Sequence, residues 1–430
     1  MFPSKVFKLL PLIYLIFGIS IFILTTVWNR SDTIGLFILF NMSFFAYIWI
    51  CKFEYSFKSI LVLGIIVRCS LFYNLPNLSD DFYRFFWDGA LIHEGINPYS
   101  FLPKQVTEMG FSNFSQKALA QLNSSKYATV YPPFNQFFFW LSTFLVKPLW
   151  SAGILRIFLF LTDISSTVLI YKLRTKTTLS SWFFLNPLLI IEGVGNIHFE
   201  SMMIFFLILA LYFISKNKFI KAGFAWGLAI ATKFIPLVFL PALVFYIKRK
   251  GSWILISIAL LVFSLTLMPM LTTQFSEKTL TSLKLYFQHF EFNASIYFIL
   301  RAFGFWFKGY NIIETLGPIM AFISLFLIFF GAIFFYYSKK SLETTLLYSL
   351  TFYLLMSTTV HPWYILTLIP LGLLSGHWYP IIWSFTVFWS YFGYNCTGYD
   401  LPKWWILGEY IILFSTIGIE LKKIKNETPI

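Results

Sequence analysis

Residues 319–337 read IMAFISLFLIFFGAIFFYY, a run without a charged side chain. As a helix rising 1.5 Å per residue it would be roughly 28 Å long, close to the ~30 Å hydrocarbon core of a bilayer. A helix also satisfies every backbone N–H and C=O internally, which hydrocarbon cannot do for it. Working outward, Phe7–Trp28, Thr33–Ile50, Gly251–Leu271 and Trp405–Leu421 repeat the pattern. The chain of 430 residues is 58% hydrophobic and only 12% charged, about half the charge of a soluble domain. These features predict an all-α polytopic membrane protein, one integral membrane domain over residues 1–430 with about 11–14 transmembrane helices. The first apolar run is long enough to span and lacks a small-residue cleavage site, so no cleavable signal peptide is expected.

The formal charge of +14 comes from 32 basic and 18 acidic residues. The bases do not form a nucleic-acid-binding surface pattern. They sit in short clusters between apolar segments, as cytoplasmic loops do, so nucleic acid is not an expected partner. Cys51, Cys69 and Cys396 are scattered, with neither metal-type spacing nor a disulfide framework.

The clusters Lys172/Arg174/Lys176, Lys216/Lys218/Lys221, Lys248/Arg249/Lys250, Lys339/Lys340 and Lys422/Lys423/Lys425 are therefore expected inside. Two crossings fit between the first two clusters, turning near Gly193–Glu200 and leaving Glu192, His198 and Glu200 outside. Ala222–Ile247 is too short for two full spans, which predicts two short helices meeting near Lys233–Pro236. His361 follows the outward segment Leu342–Thr359 and also falls outside. Residues 74–133 form a polar outer loop, long enough to be functional. Phe134–Val146 and Ile154–Tyr171 cannot both cross under this scheme, so the first is expected to be a partial segment.

That loop carries SDDFYRFFWDGALIHEGINPY at 79–99. At roughly 100° per residue, Asp80, Asp81, Arg84 and Asp88 share one side of a short helix near 80–94, with Phe82, Phe85, Phe86 and Ala90 opposite. Asp80 or Ser79 can cap that helix, while a general base needs a carboxylate beside a substrate hydroxyl; Asp81 and Asp80 are the catalytic candidates. Arg84 and Asp88 are spaced to pair at i,i+4, and both are also candidates for substrate contact. Asn97 and Tyr99 lie in a helix stop and turn, where structural and sugar-binding roles both fit. Glu192, His198 and Glu200 follow the helix-breaking Asn186-Pro187, where ionisable groups usually line a polar cavity. His198 and Glu200 are two residues apart with no second histidine nearby, which argues against a metal. Lys233 is costly in an apolar run and suits a phosphate beside a helix break. His361 could pair with a phosphate or with the base.

In this order, Asp81-Phe82-Tyr83-Arg84-Phe85-Phe86-Trp87-Asp88-Gly89, Gly95-Ile96-Asn97-Pro98-Tyr99, Tyr131-Pro132-Pro133, Asn186-Pro187 with Glu192, and Lys233-Phe234-Ile235-Pro236 resemble the GT-C superfamily of polyprenyl-phosphate-sugar-dependent glycosyltransferases, in its bacterial mannosyltransferase branch. The likeness covers roughly residues 60–375. It departs at His198-Phe199-Glu200, where the family often has His-Asn-Asp. The resemblance implies a GT-C-like bundle with an amphipathic helix lying along the membrane in the outer loop. It also implies inverting transfer of a sugar, mannose by family likeness, from a polyprenyl-phosphate donor to a hydroxyl of a lipid or glycan acceptor. No cofactor and no metal are expected. Two rivals share some features: a sugar-polymer ligase or polymerase using a diphosphate-linked donor, and a transporter or lipid flippase. The expected location is the plasma (inner) membrane of a bacterium with the site outside, or the endoplasmic reticulum in a eukaryote.

Overall fold

The computed structural model describes residues 4–53, 55–110, 116–145, 147–247, 249–268, 290–395 and 398–427. Lys248, Cys396, part of the outer loop (111–115) and the end of the expected span Gly251–Leu271 lie outside the described residues. The protein is an all-α polytopic membrane protein. Among the described residues five helices are long and apolar enough to cross a bilayer: Thr33–Cys51, Pro148–Arg174, Lys250–Leu267, Ile313–Tyr337 and Lys403–Lys423. A sixth crossing is available if Pro187–Gly195 and Glu200–Ser215, bent by 113°, form one broken span. Shorter apolar helices, including Phe219–Thr232 and Leu342–Met356, accompany them, and the larger number expected from sequence draws on these as well.

Helix ends follow local chemistry. Asp32, Ser56 and Ser341 side chains accept the N–H of Gly35, Ser59 and Thr344, satisfying donors that lack a partner within the helix. Pro133–Ser142 is a ten-residue helix, about 15 Å long, half of what a crossing needs. It is the partial segment expected, and the 27-residue helix Pro148–Arg174 follows it.

The chain forms two compact units. The first comprises Met1–Leu78, Leu159–Ser201 and His361–Ile430; the second comprises Ser79–Phe158 and Met202–Val360. In the first, Phe40 stacks on Phe388 at 3.7 Å between ring centroids. Asn186 caps the turn at Pro187 through Leu188 and Leu189 N–H groups and donates to Ser384 Oγ at 3.0 Å. Arg68 and Asp163, both buried, pair at 2.9 Å with the guanidinium over the Phe184 ring. A two-stranded antiparallel ribbon, Tyr394–Asn395 with Gly398–Tyr399, is its sheet among the described residues.

In the second unit Gly223 and Gly227 let Phe219–Thr232 pack closely on Arg249–Leu267. A Cβ at these positions would lie 2.6 Å from Leu255 O and 2.7 Å from Ala259 O, the small-residue approach that lipid-embedded helices use in place of hydrophobic burial. Phe219–Thr232 then stops, Lys233 is extended (φ −154°, ψ 142°), and a 3-10 turn Ile235–Phe239 leads into Leu240–Tyr246. This is the break expected from the spacing of the lysine clusters.

Candidate active site

The acidic helix forms at Asp81–His93. Gly89 allows it to lie on Pro133–Ser142, since a Cβ there would meet Phe139 O at 2.3 Å, and Phe85 stacks on Phe139 at 4.6 Å. Arg84 and Asp88 make the expected i,i+4 pair, Nε to Oδ1 at 2.8 Å, with both side chains almost wholly buried. Arg84 also donates to the carbonyls of Ser124 and Tyr127, and Gln136 Nε2 donates to the other Asp88 oxygen at 2.9 Å. This buried, hydrogen-bonded pair pins the acidic helix to the loop 124–127 and to Pro133–Ser142.

On that platform sits Asp81. Its Oδ1 accepts Asn123 Nδ2 at 2.7 Å and its Oδ2 accepts the Tyr131 hydroxyl at 3.2 Å. Asp81 is half-buried. Desolvation raises its pKa above the ordinary aspartate value, against the lowering effects of Asn123, the Lys233 charge and Tyr131; the neighbouring Asp80 adds a smaller upward push. Lys233 is placed for this influence by its neighbour: Thr232 O accepts Asn135 Nδ2 at 2.9 Å, and Asn135 adjoins the Gln136 that holds Asp88. Asp80 occupies the N-cap position without a side-chain cap bond, while Ser79 Oγ accepts the Asp81 N–H at 3.3 Å.

Asn97 and Tyr99 serve this arrangement one step removed. Asn97 Oδ1 accepts the Tyr99 N–H, and the Tyr99 hydroxyl donates to Tyr131 O at 2.6 Å. The loop residue that holds Asp81 is itself held by the Gly95–Tyr99 turn.

A second polar cluster lies in the first unit. One π-helical turn, Ile190–Gly195, follows Pro187–Leu189. It is closed by Asn196 N–H to Ile191 O at 2.7 Å and His198 N–H to Glu192 O at 3.0 Å. Glu192 is fully buried. Its carboxylate accepts the Tyr391 hydroxyl at 2.7 Å and Asn196 Nδ2 at 3.0 Å, and lies 3.3 Å from His198 Nδ1. The His198 ring meets Trp363 at 3.9 Å, and His361 stacks on the same indole at 4.3 Å and 7°. Glu200 is buried at the start of Glu200–Ser215, where a negative charge suits the helix end.

The sequence singles out Asp81, Glu192, His198, His361 and Lys233, which the structure places in these two polar clusters. It gives no role to Asn123, Gln136, Asn196, Trp363 or Tyr391, and Tyr131 enters only within a motif. Among the described residues no three His, Cys, Asp or Glu side chains gather as a metal site would require.

The family described as alpha-(1->6)-mannopyranosyltransferase, N-terminal domain, matches residues 18–249, more than half of the chain. The chain belongs to the alpha-(1->6)-mannopyranosyltransferase family. A second family, described as mannosyltransferase (PIG-M), matches residues 193–306. Neither the curated proteins nor the solved structures searched yield a match. As a mannopyranosyltransferase-family member this is a multi-pass membrane glycosyltransferase of the mannosyltransferase type, the family the sequence motifs resemble. The first match contains Asp80, Asp81, Glu192, His198, Glu200 and Lys233; His361, Trp363 and Tyr391 lie beyond both matches.

Proposed function

We propose that the protein transfers mannose, with inversion at the anomeric carbon, from a polyprenyl-phosphate donor to a hydroxyl of a lipid or glycan acceptor on the extracytoplasmic face. The observation that carries this reading is the partly desolvated Asp81 carboxylate, hydrogen-bonded by Asn123 and Tyr131 and within electrostatic reach of Lys233. Asp81 takes the proton of the acceptor hydroxyl. The acceptor oxygen attacks the anomeric carbon from the side opposite the leaving group, and the bond to the phosphate oxygen breaks with its electron pair. Raised pKa makes Asp81 a stronger base than an ordinary surface carboxylate. Lys233 stabilises the charge gathering on the departing phosphate. Arg84 and Asp88 keep the base in place, with Asn97 and Tyr99 acting through Tyr131. His198 and His361, on either contact of Trp363, bind substrate, with Glu192 beside His198, and the buried Glu200 is a further substrate-binding residue. The outer face is supported by the charge pattern of the loops.

The test uses purified protein in lipid with polyprenyl-phosphate mannose and, separately, nucleotide-linked mannose. Transfer from the lipid donor alone, abolished in Asp81→Asn, is the expected result. Transfer from the nucleotide donor alone would overturn the donor assignment, and a fully active Asp81→Asn would overturn the base.

A further inference from the structure

Ile197 has φ +64°, a left-handed backbone conformation that a β-branched side chain adopts only under strain. It is fully buried and stands between the two residues that meet Glu192. Strain of this kind persists only where surrounding contacts over-determine it. Here they do so by name. The π turn takes Asn196 N–H to Ile191 O; the strained Ile197 then swings His198 back so that its N–H reaches Glu192 O, and its Nδ1 lies 3.3 Å from the Glu192 carboxylate. An ordinary α-helix would send positions 192 and 198 to different faces.

Glu192 in turn is fixed from a distant part of the chain. The Tyr391 hydroxyl donates to Oε1 at 2.7 Å, and Asn196 Nδ2 donates to Oε2 at 3.0 Å while lying 3.4 Å from the Tyr391 oxygen. The Glu192 carboxylate so held lies 3.3 Å from His198 Nδ1, close enough to restrain the ring. The His198 ring is thereby held between this carboxylate and Trp363, whose ring centroid lies 3.9 Å away.

We propose that Tyr391 and Asn196 are positioning residues that act through Glu192 to fix the His198 imidazole for its contact with the sugar substrate. This rests on the reading of His198 as a substrate-binding residue. Neither tyrosine nor asparagine touches substrate in this scheme; the strained turn and the hydroxyl from the far end of the chain exist to aim one ring.

A double-mutant cycle tests it, because coupling between two residues appears as non-additivity. Mannosyl transfer from polyprenyl-phosphate mannose is measured for Tyr391→Phe, His198→Ala and the double variant, in detergent-purified full-length protein. Tyr391→Phe is expected to lower kcat/KM about tenfold, as for loss of a hydrogen bond to a charged group, and less than about twofold when His198 is already alanine. Asn196→Ala gives the same cycle if the phenylalanine variant folds poorly. Asn196→Asp, which places a second carboxylate beside Glu192, should not rescue, whereas Asn196→Gln should recover part of the loss. Equal fold-losses in both backgrounds would make the tyrosine a general support of the fold and overturn the proposal. Full activity of His198→Ala, with Asp81→Asn still inactive, would also overturn it while leaving the base assignment standing.

Discussion

Asp81 and Glu192 are both carboxylates held by a tyrosine hydroxyl and an asparagine amide, yet their surroundings differ. Asp81 retains solvent contact and takes its two donors from a loop. Glu192 has no exposed surface, sits in a π turn, and adds His198 Nδ1 to its contacts. A carboxylate that must collect a proton needs access to an incoming hydroxyl and a pKa high enough to hold the proton. One with no exposed surface, held by a tyrosine hydroxyl and an asparagine amide, is suited to orienting its neighbours. A carboxylate with a tyrosine and an asparagine thus suits the proposed base in one unit and an anchor in the other, and accessibility separates the two.

The largest expected effect comes from removing the base. Asp81→Asn should lower kcat by about 10²–10⁴-fold, the usual range for a general base, while thermal unfolding barely moves, since the amide retains the shape. Loss of folding together with loss of activity would erase the distinction from Glu192. Lys233→Ala should follow, with weaker donor binding and kcat down by about 10–10³-fold, as for removal of one group stabilising transition-state charge. Acceptor affinity should be unchanged. Lys233→Arg should keep part of the donor binding and less of kcat, because the planar fork carries its charge in a different place.

The opposite pattern is expected at Glu192. Glu192→Gln turns an acceptor oxygen into a donor facing the Tyr391 hydroxyl or the Asn196 amide. An unsatisfied buried group costs about 1–3 kcal/mol, so stability measured by thermal unfolding should fall clearly more than for Asp81→Asn. Equal stability losses for the two amide variants would mean that the difference in burial has no energetic consequence.

What the sequence made legible was whatever rests on local spacing. The apolar run at 319–337, the Arg84–Asp88 pair, the helix break at Asn186-Pro187 and the break at Lys233 all follow from periodicity, from i,i+4 geometry, from proline's effect on a helix or from the cost of a charge in lipid. The partners of the two carboxylates were hidden for the complementary reason. Asn123 and Tyr131 reach Asp81 across 42 and 50 residues, and Tyr391 reaches Glu192 across 199. No periodicity connects such positions. Asn97, a candidate for sugar contact, accepts the Tyr99 N–H, and the Tyr99 hydroxyl donates to Tyr131 O. The π turn leaves no apolar signature, because its period differs from 3.6 for only one turn.

The finest comparison uses pH. Because desolvation raises the Asp81 pKa, the acid limb of kcat/KM should lie above the ordinary carboxylate range near 4, with activity falling as pH drops through it. Tyr131→Phe and Lys233→Ala each remove a lowering influence and should move the limb upward. Asp80→Asn removes the smallest contribution, a nearby negative charge that raises the pKa, and should move the limb slightly downward with little change in the plateau. Linkage gives the matching sign for stability. The folded protein binds the Asp81 proton more readily than the unfolded chain, so this contribution is complete below the unfolded value and is lost as pH rises through the raised folded one. Asp81→Asn should remove that decline from the stability–pH curve, and Glu192→Gln should leave it in place. An acid limb that stays fixed in Asp80→Asn, Tyr131→Phe and Lys233→Ala alike would mean that a group other than Asp81 titrates in the rate, and the contrast between the two carboxylates would have to be drawn elsewhere.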